Sequence, residues 1–242
     1  MQHAPQGSGP WDCWTLGSEC DGGFAQYAVA RSSETYAVRC EWTDAELASI
    51  PCAYSTAENM LHRIGLGAER VLITGASGGV GSAAVQLARR RGATVIAVAA
   101  PAKAAEVLSL GAARVIARDA DPVAELGAGA VDAVVDVVGG PAMPRLLDVL
   151  AKGGRYAVSG AIAGPMAEID LRTLYLRDLT LFGCTFQPPE VFANLIAYIE
   201  AGEVRPLVAR TYPLDQIGQA QADFMAKAHT GKLVLIPPED AA

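Results

Sequence analysis

A chain of 242 residues with 51% hydrophobic and 19% charged side chains is long enough for one large or two small domains and too apolar to be disordered. Its formal net charge of −7 excludes a general nucleic-acid or anionic-membrane surface. Five scattered cysteines, no apolar run of membrane-spanning length and an N-terminus without a signal-peptide core point to a reduced, soluble, cytoplasmic protein.

Residues 1–20 read as loop, because Gly, Pro and Ser dominate and no period appears. Cys13 and Cys20 stand without a second pair, which matches no zinc template and leaves them ordinary thiols. Asp21-Gly22-Gly23 turns into an expected strand over 24–30. Thr43-Asp-Ala-Glu46 and Ser55-Thr-Ala-Glu58 both have capping-box spacing, so helices are expected over 44–50 and 56–65.

From residue 70 the chain alternates. Strands are expected over 71–74, 94–99, 114–117, 131–137, 155–159 and 179–184. Helices are expected over 79–91, 102–110, 142–151 and 189–202, with a short one near 122–126. Alternation with short loops implies right-handed crossovers and a parallel sheet covered on both faces. Six strands is the full count of a doubly wound Rossmann domain. A strand over 207–212, a polar helix near 214–228 and a strand over 232–236 then break the rhythm and read as a return to another domain.

The densest signal is Val71-Leu-Ile-Thr-Gly75-Ala-Ser-Gly78-Gly79-Val-Gly81. A strand that turns tightly into a helix leaves backbone N–H groups at a positive helix end, which makes a pyrophosphate cradle. Ala76-x-Gly78-x-x-Gly81 is the dinucleotide fingerprint with Ala in its first place, and Ser77, Gly78, Gly79 and Val80 are the cradle residues. Other motifs overlap it. The short-chain dehydrogenase turn fits, but no tyrosine has a lysine four residues on. Gly75-Ala-Ser77-Gly-Gly79 fits a nucleophile elbow, which would need a downstream acid and histidine; His229 is the only histidine after Ser77. A phosphate loop would need Gly-Lys-Ser/Thr, which is absent.

Several further stretches resemble the medium-chain dehydrogenase/reductase superfamily, the zinc-type alcohol dehydrogenases and quinone reductases. They are Asp21-Gly-Gly-Phe-Ala-Gln-Tyr27, Pro51-Cys-Ala-Tyr-Ser-Thr56, Leu110-Gly-Ala and Val131-Asp-Ala-Val-Val-Asp-Val-Val-Gly139. Gly153-Gly-Arg-Tyr-Ala-Val-Ser-Gly160, Leu179-Thr-Leu-Phe-Gly183 and Gly231-Lys-Leu-Val-Leu continue the series, so the likeness runs from about residue 17 to 237. It implies a six-stranded Rossmann domain over 51–206, flanked by part of a GroES-like β domain over 1–50 and 207–242.

Cofactor choice follows from charge. An NAD site places an acid at the end of the second strand to hold the ribose 2′-hydroxyl. Here that strand ends Val98-Ala99-Ala100-Pro101, with Lys103 after it, which favours the 2′-phosphate of NADP; an exposed surface lysine is the alternative. By resemblance, Arg118 meets the adenosine end, or is a plain surface arginine. Val138, Gly139, Ser159, Gly160, Gly183 and Cys184 lie at strand ends where the resemblance implies contacts to the nicotinamide side, although small residues also serve tight turns. Thr56 corresponds to a residue touching the nicotinamide.

Cys52 corresponds to a catalytic zinc ligand in the zinc-type members, whose upstream Cys and Gly-His-Glu partners are not in this sequence. It is therefore an inherited ligand without partners or a buried thiol. No catalytic side chain is identified. The resemblance implies hydride transfer between NADP(H) and a carbonyl or alcohol, impaired here by the missing ligands. A zinc-independent NADPH:quinone or enone reductase and a non-catalytic nucleotide-binding protein are the other readings. A homodimer through the edge strand 179–184 is also expected.

Overall fold

The computed structural model describes residues 2–3, 9 and 11–238. The chain forms two compact units, one of Ala53–Thr185 and one of Met1–Cys52 with Phe186–Ala242. At the start of the latter, β1 (Gln2–His3) pairs antiparallel with β2 (Cys13–Trp14). The stretch expected to be loop thus contains a two-residue ladder; its residues 1, 4–8 and 10 lie outside the described residues.

Residues 24–30 form no strand, contrary to their pattern. Phe24, Tyr27 and Val29 are 73%, 73% and 90% exposed, and none of the sheets among the described residues includes this stretch. An apolar run becomes a strand only when a neighbour satisfies its backbone. The helix expected after Thr43 does form, as α1 (Asp44–Ala48). Glu46 N donates to Thr43 Oγ1 at 3.3 Å and Thr43 N donates to Glu46 Oε2 at 2.9 Å, a complete capping box.

The second box does not form. Helix α2 (Ala53–Arg63) begins three residues before the expected start, so Ser55 lies inside it. The side chains that should have closed the box are buried instead, and Arg91 Nη2 donates to Glu58 Oε1 at 2.5 Å. A long-range ion pair has displaced the local cap.

The sheet of the Ala53–Thr185 unit comprises β3 (Arg70–Ile73), β4 (Thr94–Ala99), β5 (Arg114–Ala117), β6 (Val131–Asp136), β7 (Leu150–Val158) and β8 (Thr180–Gly183). Helices α3 (Gly79–Arg90), α4 (Ala104–Ser109), α5 (Pro122–Leu126), α6 (Met143–Asp148) and α7 (Leu171–Tyr175) connect them. All pairings are parallel, in the order β5-β4-β3-β6-β7-β8. The chain winds outward from β3 to β5, then returns to β6 and winds the other way. The fold is the doubly wound Rossmann type, with its switch point between β3 and β6.

Both faces of β3 are covered, as a central parallel strand requires: Val71, Leu72 and Ile73 are fully buried. Leu72, Ile96, Val134, Leu147, Leu150 and Tyr156 belong to one continuous core. Strand β7 starts five residues before its expected boundary, and its register to β6 shifts between Val131 and Ala133. Helix α7 was not expected. Asp170 caps it by accepting from Arg172 N at 2.9 Å, and five residues are too few to show a period.

The C-terminal segment carries α8 (Pro189–Glu200), β9 (Val208–Pro213), α9 (Ile217–Ala226) and β10 (Lys232–Ile236), with β9 and β10 paired parallel. Arg205 Nε donates to Glu46 Oε1 at 2.7 Å, which ties this segment to α1. No helix among the described residues is long and apolar enough to cross a membrane.

Two stability predictions follow from these ion pairs. Replacing Arg91 with Met leaves the Glu58 charge buried and should cost about 3–5 kcal/mol in urea denaturation. The Arg205 hydrogen bond, followed by the Thr43 N–H, lowers the Glu46 pKa from 4.5 to about 2. The folded state therefore favours the carboxylate, so this contribution is present above about pH 4.5 and fades as pH falls toward 2. The stability gap between the wild type and Glu46→Gln should narrow across that window in denaturation curves; a constant gap would refute the assignment.

Candidate functional site

The crevice lies beyond the carboxyl ends of β3 and β6, where open α/β sheets bind ligands. Thr74 N donates to Val135 O at 3.0 Å, which carries the chain one residue past β3 before it turns. Gly75 has φ +57°, and a Cβ there would stand 3.0 Å from Val137 Cγ2 and 3.1 Å from Val138 Cγ2. Gly78 N donates to Gly75 O at 2.9 Å and closes the turn. A Cβ on Gly81 would collide with Gly75 O and lie 2.6 Å from Gly75 C, so only glycine lets α3 start so close to the turn.

Helix α3 has no side-chain cap hydrogen bond among the described residues. Gly78, its N-cap, has no side chain to offer, and the first turn holds no acid. Ser82 N donates to Gly78 O at 2.9 Å, so the N–H groups of Gly79, Val80 and Gly81 precede the helix's own hydrogen-bond ladder. Ser77, Gly79 and Val80 are half-buried and Gly78 is exposed, so the turn opens to solvent. An anionic pyrophosphate fits this donor set, because aligned N–H groups and the helix dipole both favour negative charge.

On one side of the switch point the ends of β4 and β5 hold the two expected cations. Lys103 N donates to Ala100 O at 2.9 Å and Arg118 N donates to Ala99 O at 3.1 Å, so both backbones dock on the same pair of alanines. Lys103 is half-buried and Arg118 exposed, and residues 99–103 carry no acid.

On the other side, the loops after β6, β7 and β8 pack backbone on backbone. A Cβ on Gly139 would come within 2.7 Å of Gly160 O, and one on Gly160 within 2.6 Å of Val137 O. Both glycines are thus already required by loop packing. Ser159 Oγ donates to Cys184 O at 2.8 Å, and Cys184 N donates to Val158 O at 2.9 Å. Burial pushes the Cys184 thiol up, with Arg63 partly opposing. A Cβ on Gly183 would meet nothing. Val138, Gly139, Ser159, Gly160, Gly183 and Cys184 are therefore neighbours along the carboxyl edge of the sheet, while Thr56 sits half-buried on α2.

Cys52 is exposed and has φ +70°, a left-handed conformation that costs a non-glycine residue about 1–2 kcal/mol. Catalytic zinc takes three protein ligands. Among the described residues no group of three or more His, Cys, Asp or Glu could hold a metal ion, so the donor set present does not fit zinc.

Sequence reasoning missed the residues that tie the crevice together. Asp136 is fully buried at the end of β6, where Thr74 Oγ1 donates to its Oδ1 at 2.5 Å. Tyr156 O–H donates to Asp136 Oδ2, and burial first, then the Asp136 charge, pushes that phenol up. An acid inside the apolar run Val131-Asp-Ala-Val-Val-Asp136 was the available signal.

The family profile described as zinc-binding dehydrogenase matches residues 79–201. Polyketide synthase GfsB of Streptomyces halstedii is 33% identical across 90% of this chain, which spans only 4% of that protein. Quinone oxidoreductase of Lama guanicoe is 30% identical across 90% of this chain and 70% of its own length. Among solved structures, a Sinorhizobium meliloti 1021 protein provisionally classed as an alcohol dehydrogenase superposes with a TM-score of 0.90. It is 46% identical and covers 97% of this chain, which spans 66% of it. The 2-octenoyl-CoA carboxylase reductase CinF, solved with NADP and 2-octenoyl-CoA, has a TM-score of 0.82 at 26% identity. Its match covers 95% of this chain and 58% of CinF.

The turn geometry predicts unequal tolerance among its glycines. Gly81→Ala should destabilise by about 3 kcal/mol or more, because the clash is with backbone that cannot move aside. Gly78→Ala, whose Cβ would sit 3.3 Å from Gly75 O, should cost about 1 kcal/mol or less. Urea denaturation of the two variants checks the order.

Proposed function

The chain belongs to the medium-chain dehydrogenase/reductase superfamily, and on that premise we propose that it binds NADP(H) and transfers hydride between the nicotinamide and a small activated substrate. The observation that carries this reading is the open N-terminus of α3 behind Gly78. The N–H groups of Gly79, Val80 and Gly81 receive the pyrophosphate, and no side chain competes for them. Lys103 takes the 2′-phosphate, since it follows the β4 end, which lacks the acid an NAD site uses, and Arg118 meets the adenosine end. The loops carrying Val138, Gly139, Ser159, Gly160, Gly183 and Cys184 flank the nicotinamide, with Thr56 reaching it from α2. When bound, the nicotinamide supplies the hydride; the protein orients it and excludes water.

For the substrate we favour a quinone, enone or similar activated alkene reduced without metal. The ground is the likeness to quinone oxidoreductase of Lama guanicoe, and no step is routed through zinc, for which the described residues offer no fitting donor group. CinF, a structural neighbour solved with an enoyl thioester, agrees with this class. Oxidation or reduction at a carbonyl or alcohol is the second reading, supported by the alcohol dehydrogenase likeness. Five free cysteines suit a reducing cytoplasm. Strand β8 pairs only with β7 among the described residues, so we also propose that its free edge joins a second copy across a two-fold axis.

Titration calorimetry should give a Kd for NADPH about tenfold or more below that for NADH, with Lys103→Glu erasing the preference. Equal affinities would overturn the 2′-phosphate assignment. Quinone turnover that survives chelation supports the metal-free reading, and turnover that needs zinc refutes it. Light scattering at micromolar concentration should return a dimer mass; a monomer would refute the edge pairing.

A further inference from the structure

The Asp136 carboxyl is fully buried and is no part of the pyrophosphate cradle itself. An acid in the middle of a parallel sheet is costly to bury unless donors surround it. Here four do. Oδ1 accepts from Thr74 Oγ1 at 2.5 Å, Val138 N at 2.9 Å and Gly139 N at 3.1 Å, and Oδ2 accepts from Tyr156 O–H. Thr74 Oγ1 also accepts from Val137 N at 3.1 Å. A hydroxyl has one proton, so Thr74 gives it to Asp136 and takes the one from Val137. Three successive N–H groups, Val137 to Gly139, are thus held by two side chains at the ends of different strands.

The consequence is geometric. Thr74 immediately precedes Gly75, whose carbonyl closes the glycine turn and packs under Gly81. Val137–Gly139 lies across the switch point, near enough that a Cβ on Gly75 would touch Val137 and Val138. The network therefore fixes the pyrophosphate turn and the opposite loop against each other. Lys103 and Arg118 lie outside it, docked on Ala100 and Ala99 at the ends of other strands.

We propose that Thr74, Asp136 and Tyr156 are positioning residues that lock the glycine turn to the Val137–Gly139 loop, and so set affinity for the pyrophosphate–nicotinamide part of the dinucleotide but not for its 2′-phosphate end. This rests on the NADP(H) reading above. The three side chains touch no ligand; they act through the backbone they hold.

The test compares two ligands on the full chain. NADPH needs both ends of the site, whereas adenosine 2′-monophosphate carries the 2′-phosphate alone. In Thr74→Val and Asp136→Asn the NADPH Kd should rise about tenfold or more, while that for adenosine 2′-monophosphate stays within about twofold. The fluorescence enhancement of bound NADPH should fall in parallel as the nicotinamide loses its fixed surroundings. Equal weakening of both ligands would mean general loosening of the fold and would overturn the proposal, as would unchanged NADPH binding. If Asp136→Asn does not unfold cooperatively, Thr74→Val decides, because valine keeps the shape of the strand residue. A wild-type chain that binds neither ligand overturns the NADP(H) reading, and this inference with it. A wild type that binds both, with variants that do the same, overturns this inference alone.

Discussion

The candidate site depends on one close approach, that of the α3 backbone at Gly81 to the carbonyl of Gly75. A side chain at Gly81 would push the helix off the turn, and the helix could not begin where the strand ends. Because it does begin there, its first N–H groups lie just past the carboxyl end of β3, where no side-chain cap hydrogen bond forms. The strand order then supplies the crevice. Strands β3 and β6 are neighbours whose onward connections leave in opposite directions, and their carboxyl ends are where open α/β sheets bind ligands.

That edge is held by hydrogen bonds as much as by packing. Asp136 sits among Val134, Val135 and Tyr156, all fully buried, and would be a defect without its donors. With two hydroxyls and two backbone N–H groups directed at it, the carboxyl links the ends of β3, β6 and β7. Directional bonds in a low-dielectric surrounding resist small displacements better than apolar contacts, which tolerate sliding. The same division appears on the surface of the sheet's two halves. The side facing β4 and β5 carries Lys103 and Arg118, and the side facing β7 and β8 is closely packed backbone.

Much of this was legible in the sequence. The strands over 94–99, 114–117 and 232–236 and the helix over 122–126 match their expected bounds, because hydrophobic run length, Gly and Pro punctuation and an Asp cap are local signals. The glycine turn was legible for a different reason: a backbone that must pass another at contact distance admits only one residue type. Where the pattern failed, a distant partner had won. Ser55 and Glu58 have capping-box spacing, yet Arg91, 33 residues along the chain from Glu58, claims the carboxylate and the helix starts earlier. Residues 24–30 were expected as a strand, but a strand is a property of two segments, and none of the sheets among the described residues includes them.

Asp136 marks the boundary between the two kinds of information. The sequence alone determined that strands and helices alternate, that a glycine turn leads into a helix and that no acid follows the second strand. Each depends on the chemistry of neighbouring residues. Only the tertiary structure decided that Asp136 points inward, that Thr74 from 62 residues earlier meets it and that Tyr156 completes its shell. Those pairings depend on which strands lie side by side. Strand order is settled by the burial of whole faces, which no local pattern encodes.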